Sequence, residues 1–217
     1  MTPFFRVYLS VALLAANILF VATPAFARAP VKLLVLGDSL TAGYGLPPGE
    51  AFPVKLEAAL KERGHDVQVI NAGVSGDTSA GGLARLDWAL GDKPQAVIVE
   101  LGANDALRGL DPQLMRANLD KILTRLEKDS TPTLFAGMKA PPNLGSDYTQ
   151  QYSKVFDDLA AAHKVIYYPF FLEGVATHQE LNQADGLHPL PAGVAIIVRG
   201  MLPQVEELLK RVEAQGS

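Results

Sequence analysis

Short apolar runs alternate with longer segments in which apolar residues recur every three or four positions, from residue 31 almost to the end of the chain. The runs fall at 31–36, 66–71, 95–101, 132–137 and 164–168, and they are rich in Val, Ile and Leu. Continuous apolar runs this short read as strands covered on both faces, as in a parallel sheet. Between them, 52–63, 78–90 and 112–128 carry helical spacing; in the third, Met115, Leu119, Ile122 and Leu126 form one stripe. Asp77 or Thr78 suits the N-cap of the second helix, Asp111 before Pro112 opens the third, and Gly64 closes the first. A last helix from about Pro191 carries Val194, Val198, Met201, Val205, Leu208 and Val212, with Pro203 expected to kink it. His163 falls at a helix end just before the fifth run. The pattern predicts an α/β chain with a five-stranded parallel sheet between two helical layers.

Open sheets of this class hold ligands beyond the carboxyl ends of their strands. Each polar, Gly-rich segment here does follow a predicted strand. Gly37-Asp38-Ser39-Leu40 follows the first, Asn71 to Thr78 the second, Gly102-Ala103-Asn104-Asp105 the third, and Asp185-Gly186-Leu187-His188 comes after the fifth. A serine hydroxyl is a weak nucleophile until a base takes its proton, and imidazole suits that task at neutral pH. An aspartate three residues before His188 can hold one ring nitrogen protonated and stabilise the imidazolium as it forms. Ser39, His188 and Asp185 are therefore the candidate nucleophile, base and orienting group.

Composition narrows the setting. With 217 residues, 48% hydrophobic and 19% charged, the chain fits one globular domain, taken as 28–217. Arg6, the apolar stretch 7–21 and the small-x-small triplet Ala25-Phe26-Ala27 read as a signal peptide over 1–27, which implies export, to the periplasm in a bacterial setting. Asn17 and Pro24 interrupt that stretch before it reaches the roughly 20 apolar residues of a spanning helix, so no membrane anchor is expected. Loss of the leader removes one Arg and no acid, leaving 18 basic against 23 acidic side chains, a formal charge of −5. That balance repels phosphate backbones and argues against nucleic acid as a partner. The absence of cysteine excludes thiol catalysis, disulfides and lipid attachment through a thioether.

The four polar blocks together resemble those of the SGNH, or GDSL, hydrolases, and within them the bacterial periplasmic multifunctional esterases, a group spanning arylesterase, acyl-CoA thioesterase and lysophospholipase activities. Gly37-Asp38-Ser39-Leu40 matches the nucleophile block, Gly76 the glycine, Asn104 the asparagine, and Asp185-Gly-Leu-His188 the Asp-x-x-His block. Ser75 to Thr78, Leu107-Arg108-Gly109 and Met138 to Gly145 extend the likeness over nearly all of the mature chain; Ala103 departs from it, standing where some members carry a second glycine. The resemblance implies a flavodoxin-like SGNH fold and an oxyanion hole made by the Ser39 and Gly76 amides and the Asn104 side chain. It also implies cofactor- and metal-free cleavage of small esters or thioesters, with a monomer as the expected state. Leu107, Leu110, Pro141, Pro142 and Asn143 are the candidate substrate-binding residues, favouring an apolar acyl group.

Competing readings are weaker. Ser39 alone could cap a helix, yet the other three blocks agree with catalysis. Asp38, Asp105, Ser75 and Ser79 are expected to bond to loop backbone or cap helices. His65, His163 and His178 are expected to be solvated, and Trp88 to lie in the core. No Gly-x-Ser-x-Gly, Gly-x-Gly-x-x-Gly, P-loop or His-Glu-x-x-His occurs, which argues against α/β-hydrolase, dinucleotide, nucleotide and zinc-peptidase readings. A carbohydrate O-acetylesterase, using Tyr44, Tyr148 or Tyr152 to stack on sugars, and a non-catalytic envelope binding protein are the alternatives.

Overall fold

The computed structural model describes residues 29–216, so the expected leader lies outside the described residues. Five parallel strands, β1 (Val31–Gly37), β2 (Val67–Gly73), β3 (Ala96–Glu100), β4 (Thr133–Ala136) and β5 (Ile166–Tyr168), form one sheet in the order β2-β1-β3-β4-β5. Among the described residues, eight α-helices connect and follow them: α1 (Ser39–Ala42), α2 (Phe52–Glu62), α3 (Ser79–Ala84), α4 (Leu86–Ala89), α5 (Ala103–Leu107), α6 (Pro112–Lys128), α7 (Ser146–Ala162) and α8 (Pro191–Gln215). Helices α2 and α8 pack together, as do α3, α6 and α7, and the sheet lies between helical layers as expected. Among the described residues, no helix is long and apolar enough to cross a membrane.

Burial follows position in the sheet. Leu33 to Leu36 of β1 and Ala96 to Val99 of β3 are fully buried, because both strands are central and covered on both sides. The expectation of double burial fails for β2: it is an edge strand in which Gln68 and Asn71 are exposed. A sequence run cannot show which strand ends up at the margin.

Two further expectations change. The single helix expected over 78–90 is broken at Arg85 into α3 and α4. There the guanidinium turns inward, donating to the carbonyl oxygens of Ala72 (2.7 Å) and Gly37 (2.8 Å) and to Asp77 (2.6 Å). Beyond the break Leu86 and Ala89 face the core, and Trp88 is left 80% exposed rather than buried. The second correction concerns His163. It is not solvated: its ring lies within hydrogen-bonding distance of Asp120 (2.9 Å) and Glu127 (3.2 Å), with only 9% of the side chain exposed. Helix α7, which ends beside it, buries Tyr152, Val155, Phe156 and Leu159 on one stripe. The N-cap expectations hold at Thr78, whose hydroxyl accepts from the Gly81 amide, and at Asp111, which accepts from Gln113. Helix α8 runs continuously through Pro203.

In this strand order successive connections leave β1 and β3 in opposite directions, opening a crevice between their carboxyl ends. Gly37 and Glu100, the last residues of these two strands, are register partners. Whatever follows either strand is delivered to that crevice.

Candidate active site

Ser39 is the first residue of α1, directly after β1, with Asp38 as N-cap. An amide at the first helical position has no acceptor within the helix and is free for a ligand. The Asp38 side chain is fully buried; one carboxylate oxygen accepts from the Leu40 amide at 3.0 Å and the other from the Asn104 side chain at 3.1 Å. Its expected structural role is what the geometry shows. The turn is thus braced to α5, which begins right after β3.

The candidate base, His188, comes from the other direction. His188 Nε2 lies 2.8 Å from Ser39 Oγ, and Nδ1 lies 2.7 Å from Asp185 Oδ2. Asp185 Oδ1 accepts from the Leu187 amide (2.9 Å) and the His188 amide (3.1 Å), so the carboxylate organises its own loop as well as the ring. Against some desolvation, the Leu187 amide, the His188 ring and the His188 amide together hold the Asp185 carboxyl down at about 2. Gly186, at φ +69°, makes the tight turn that lets residues 185 and 188 face each other.

Contacts not anticipated from the sequence hold this loop. The Gln183 side-chain amide donates to the Tyr44 carbonyl (2.8 Å) and the Pro189 carbonyl (3.3 Å), lacing the base loop to the segment after α1. The Tyr44 ring, 53% exposed, packs on the His188 ring with centroids 4.6 Å apart. Buried Asn182 donates to the Val175 and His178 carbonyls. Glu100 is a further residue that sequence reasoning passes over, although an acid inside an otherwise apolar strand is a visible signal. It is fully buried and takes the Asp38 amide at 3.3 Å. Burial first, and the facing Asp38 second, push its carboxyl well above the usual carboxylate range; burial likewise raises Asp38, against the pull of the Leu40 amide and Asn104.

Gly76 has φ +83°, a backbone region that suits glycine, and its carbonyl accepts from Arg108 at 2.6 Å. That bond ties the Gly76 turn to the end of α5. Asp105 accepts from both the amide and the hydroxyl of Ser79, fixing the start of α3 to α5.

A hollow of about 110 Å³ opens beside the serine, lined by Ser39, Leu40, Ala103, Asn104, Leu107, Met138, Lys139, Pro141, Leu172, Leu187 and His188. Of the candidate substrate-binding residues, Leu107 and Pro141 line it; Leu110, Pro142 and Asn143 do not. Pro142 and Asn143 are carried away by a 3₁₀ turn over Pro142–Leu144, and the Leu110 carbonyl is engaged by the Tyr148 hydroxyl at 2.7 Å. Met138, Leu172 and Leu187 line it as well.

A serine paired to an imidazole at the crevice of a 2-1-3-4-5 sheet defines a class, the flavodoxin-like SGNH hydrolases. Comparison with known proteins agrees: the profile of the GDSL-like lipase/acylhydrolase family matches residues 35–196, and the chain belongs to that family. It is 42% identical over 179 residues to an arylesterase of Vibrio mimicus, covering 82% of this chain and 90% of that one. With thioesterase 1/protease 1/lysophospholipase L1 of Escherichia coli strain K12 it shares 37% identity over 184 residues, 84% of this chain and 87% of the relative. Among solved structures, that of AlinE4, described as a SGNH-hydrolase family esterase, superposes with a TM-score of 0.71 at 45% identity, covering 84% of this chain and 98% of the other.

Proposed function

We propose that this enzyme hydrolyses carboxylic esters and acyl thioesters through an acyl-enzyme on Ser39. The observation that carries the reading is the position of one imidazole, 2.8 Å from the Ser39 hydroxyl and 2.7 Å from the Asp185 carboxylate. His188 Nε2 takes the hydroxyl proton as Oγ bonds to the substrate carbonyl carbon, and Asp185 stabilises the resulting imidazolium. The carbonyl oxygen, now carrying the negative charge, is met by the amides of Ser39 and Gly76 and by the Asn104 N–H not engaged by Asp38. Collapse of the intermediate expels the alkoxide or thiolate, which receives the proton from His188. Water then repeats the sequence on the acyl-enzyme and releases the acid, with no group required beyond these side chains and amides.

The apolar side chains around the hollow, from Leu40, Ala103, Leu107, Met138, Pro141, Leu172 and Leu187, support an apolar acyl group. The names of the arylesterase and thioesterase relatives support esters and thioesters as the substrate class. Of the tyrosines considered for stacking on acetylated sugars, Tyr152 is fully buried and the Tyr148 hydroxyl donates to the Leu110 carbonyl, which leaves the exposed Tyr44 ring beside His188 as the support for that alternative. Export with cleavage after Ala27 belongs to the same reading and is checked by N-terminal sequencing of the secreted protein, which should begin at Arg28.

A panel of p-nitrophenyl esters, acyl-CoAs, lysophospholipids and acetylated sugars tests substrate and nucleophile together. Ser39→Ala should lose turnover on every substrate while keeping its fold, and Asn104→Ala should lower kcat by roughly 100- to 1,000-fold. Wild-type turnover of an aryl acetate by Ser39→Ala would falsify the nucleophile assignment.

A further inference from the structure

Glu100 sits where the proposed mechanism gives it no task. It ends β3, opposite Gly37 in register, and none of its surface is exposed. Its carboxyl is pressed against the nucleophile turn, since a Cβ on Gly37 would come within 2.8 Å of Glu100 Oε2. Oε2 accepts the Asp38 amide, and Oε1 is buried without a hydrogen-bond donor. The hydrogen bond from the Asp38 amide holds the Glu100 carboxyl beside Asp38, and the two carboxyl groups act on each other electrostatically. Two ionised carboxylates do not share a buried site, so the pair holds a proton. Asp38 already accepts from the Leu40 amide and the Asn104 side chain, which favour its ionised form, whereas Glu100 has one weak backbone donor. The proton therefore belongs on Glu100, where it also gives the carboxyl a bond that its oxygens lack.

We propose that Glu100 is a positioning residue: as a neutral acid beneath the turn it donates a hydrogen bond to the Asp38 carboxylate, which in turn fixes the Asn104 amide with its second N–H aimed at the reacting carbonyl. This rests on the reading of Asn104 as an oxyanion donor. An amide has two faces and one swivel, and the bond from Asn104 Nδ2 to Asp38 Oδ2 selects the orientation in which nitrogen rather than oxygen is held at the site. Because the device acts on a transition-state contact, it should register in kcat and leave KM almost unchanged.

The test is a steady-state cycle on a p-nitrophenyl ester with wild type, E100Q, E100L, N104A and the double variant E100L/N104A. Gln is neutral, of the same length and still a donor, so E100Q should keep kcat within about threefold. E100L should lose kcat by about 10- to 100-fold with KM within about twofold, less than full loss of an oxyanion donor. In the N104A background the same substitution should change kcat by less than about threefold, because its target is gone. Loss in E100Q as large as in E100L overturns the neutral acid; an equal loss from E100L in both backgrounds overturns action through Asn104. Should E100L not fold, Glu100→Asp, too short to reach Asp38, replaces it in the same cycle, and the same two outcomes overturn the proposal. An N104A enzyme with unaltered kcat would instead sink the oxyanion reading itself, so the two failures are told apart.

Discussion

The two halves of the site are held in different ways. The nucleophile side is an interior structure: Asp38, Glu100 and Thr41 are fully buried, and Arg85 reaches in from the α3–α4 break to the Gly37 and Ala72 carbonyls. By contrast the His188 side is a surface loop, in which the Asp185 side chain is 38% exposed and its carboxylate bonds only to groups two or three residues away, while a short Asn182–Pro189 bridge, Gln183 and the Tyr44 ring fasten the loop at its edges. Stability and chemistry are thus bound together at one side and separable at the other. Interior polar groups stripped of partners cost folding energy, whereas a loop ordered by short-range bonds can lose its function without unfolding the domain.

The largest expected effect breaks the base side alone. His188→Ala should cut kcat/KM by roughly 10,000-fold or more, by analogy with removal of any member of such a triad, while the thermal midpoint moves by no more than about 2 °C. A large fall in midpoint would mean that the loop supports the fold after all. Arg85→Ala should do the opposite. Two carbonyls and the Asp77 carboxylate lose their partner, so denaturant unfolding should show a loss of roughly 2–4 kcal/mol, with turnover per folded molecule reduced far less.

Much of this division is legible in the sequence, and the exceptions are instructive. Leu33 to Leu36 and Ala96 to Val99 announce strands because continuous burial leaves no polar position to blur the run. Ser39, Asn104, Asp185 and His188 stand out because their blocks each follow a strand end. The break at Arg85 is hidden because its cause lies in the Gly37 and Ala72 carbonyls, remote in sequence; the inward placing of Trp88 fails with it. Helix α7 opens on polar residues, so its stripe at Tyr152, Val155, Phe156 and Leu159 shows only if the apolar positions are followed past the loop. His163 looks solvated in the sequence because its partners, Asp120 and Glu127, come from α6. The residues lining the hollow are the least legible: Pro141 lines it, whereas Pro142 and Asn143, in the 3₁₀ turn that follows, do not.

Smaller effects sharpen the comparison. Gln183→Ala removes the lacing between the base loop and the Tyr44 segment, and should lower kcat/KM by about tenfold while denaturant stability falls by less than about 1 kcal/mol. The weakest signal is a pH dependence. Asp185 titrates below its usual 3.8, at about 2, so the stability it adds is complete above pH 4 and disappears as pH falls towards 2. Relative to Asp185→Asn, wild type should keep a constant small advantage, under about 1 kcal/mol for so exposed a group, from pH 8 to pH 4, and lose it below. An advantage that grows on acidification would reverse the sign and remove the carboxylate from the account.

Covalent labelling with a fluorophosphonate, read by intact-protein and peptide mass spectrometry, addresses the union of the two sides most directly. One adduct per chain is expected, on the peptide carrying Ser39, absent from Ser39→Ala and slowed by about 1,000-fold or more in His188→Ala. Labelling of Ser39 at the wild-type rate without His188, or an adduct on another serine, would contradict it.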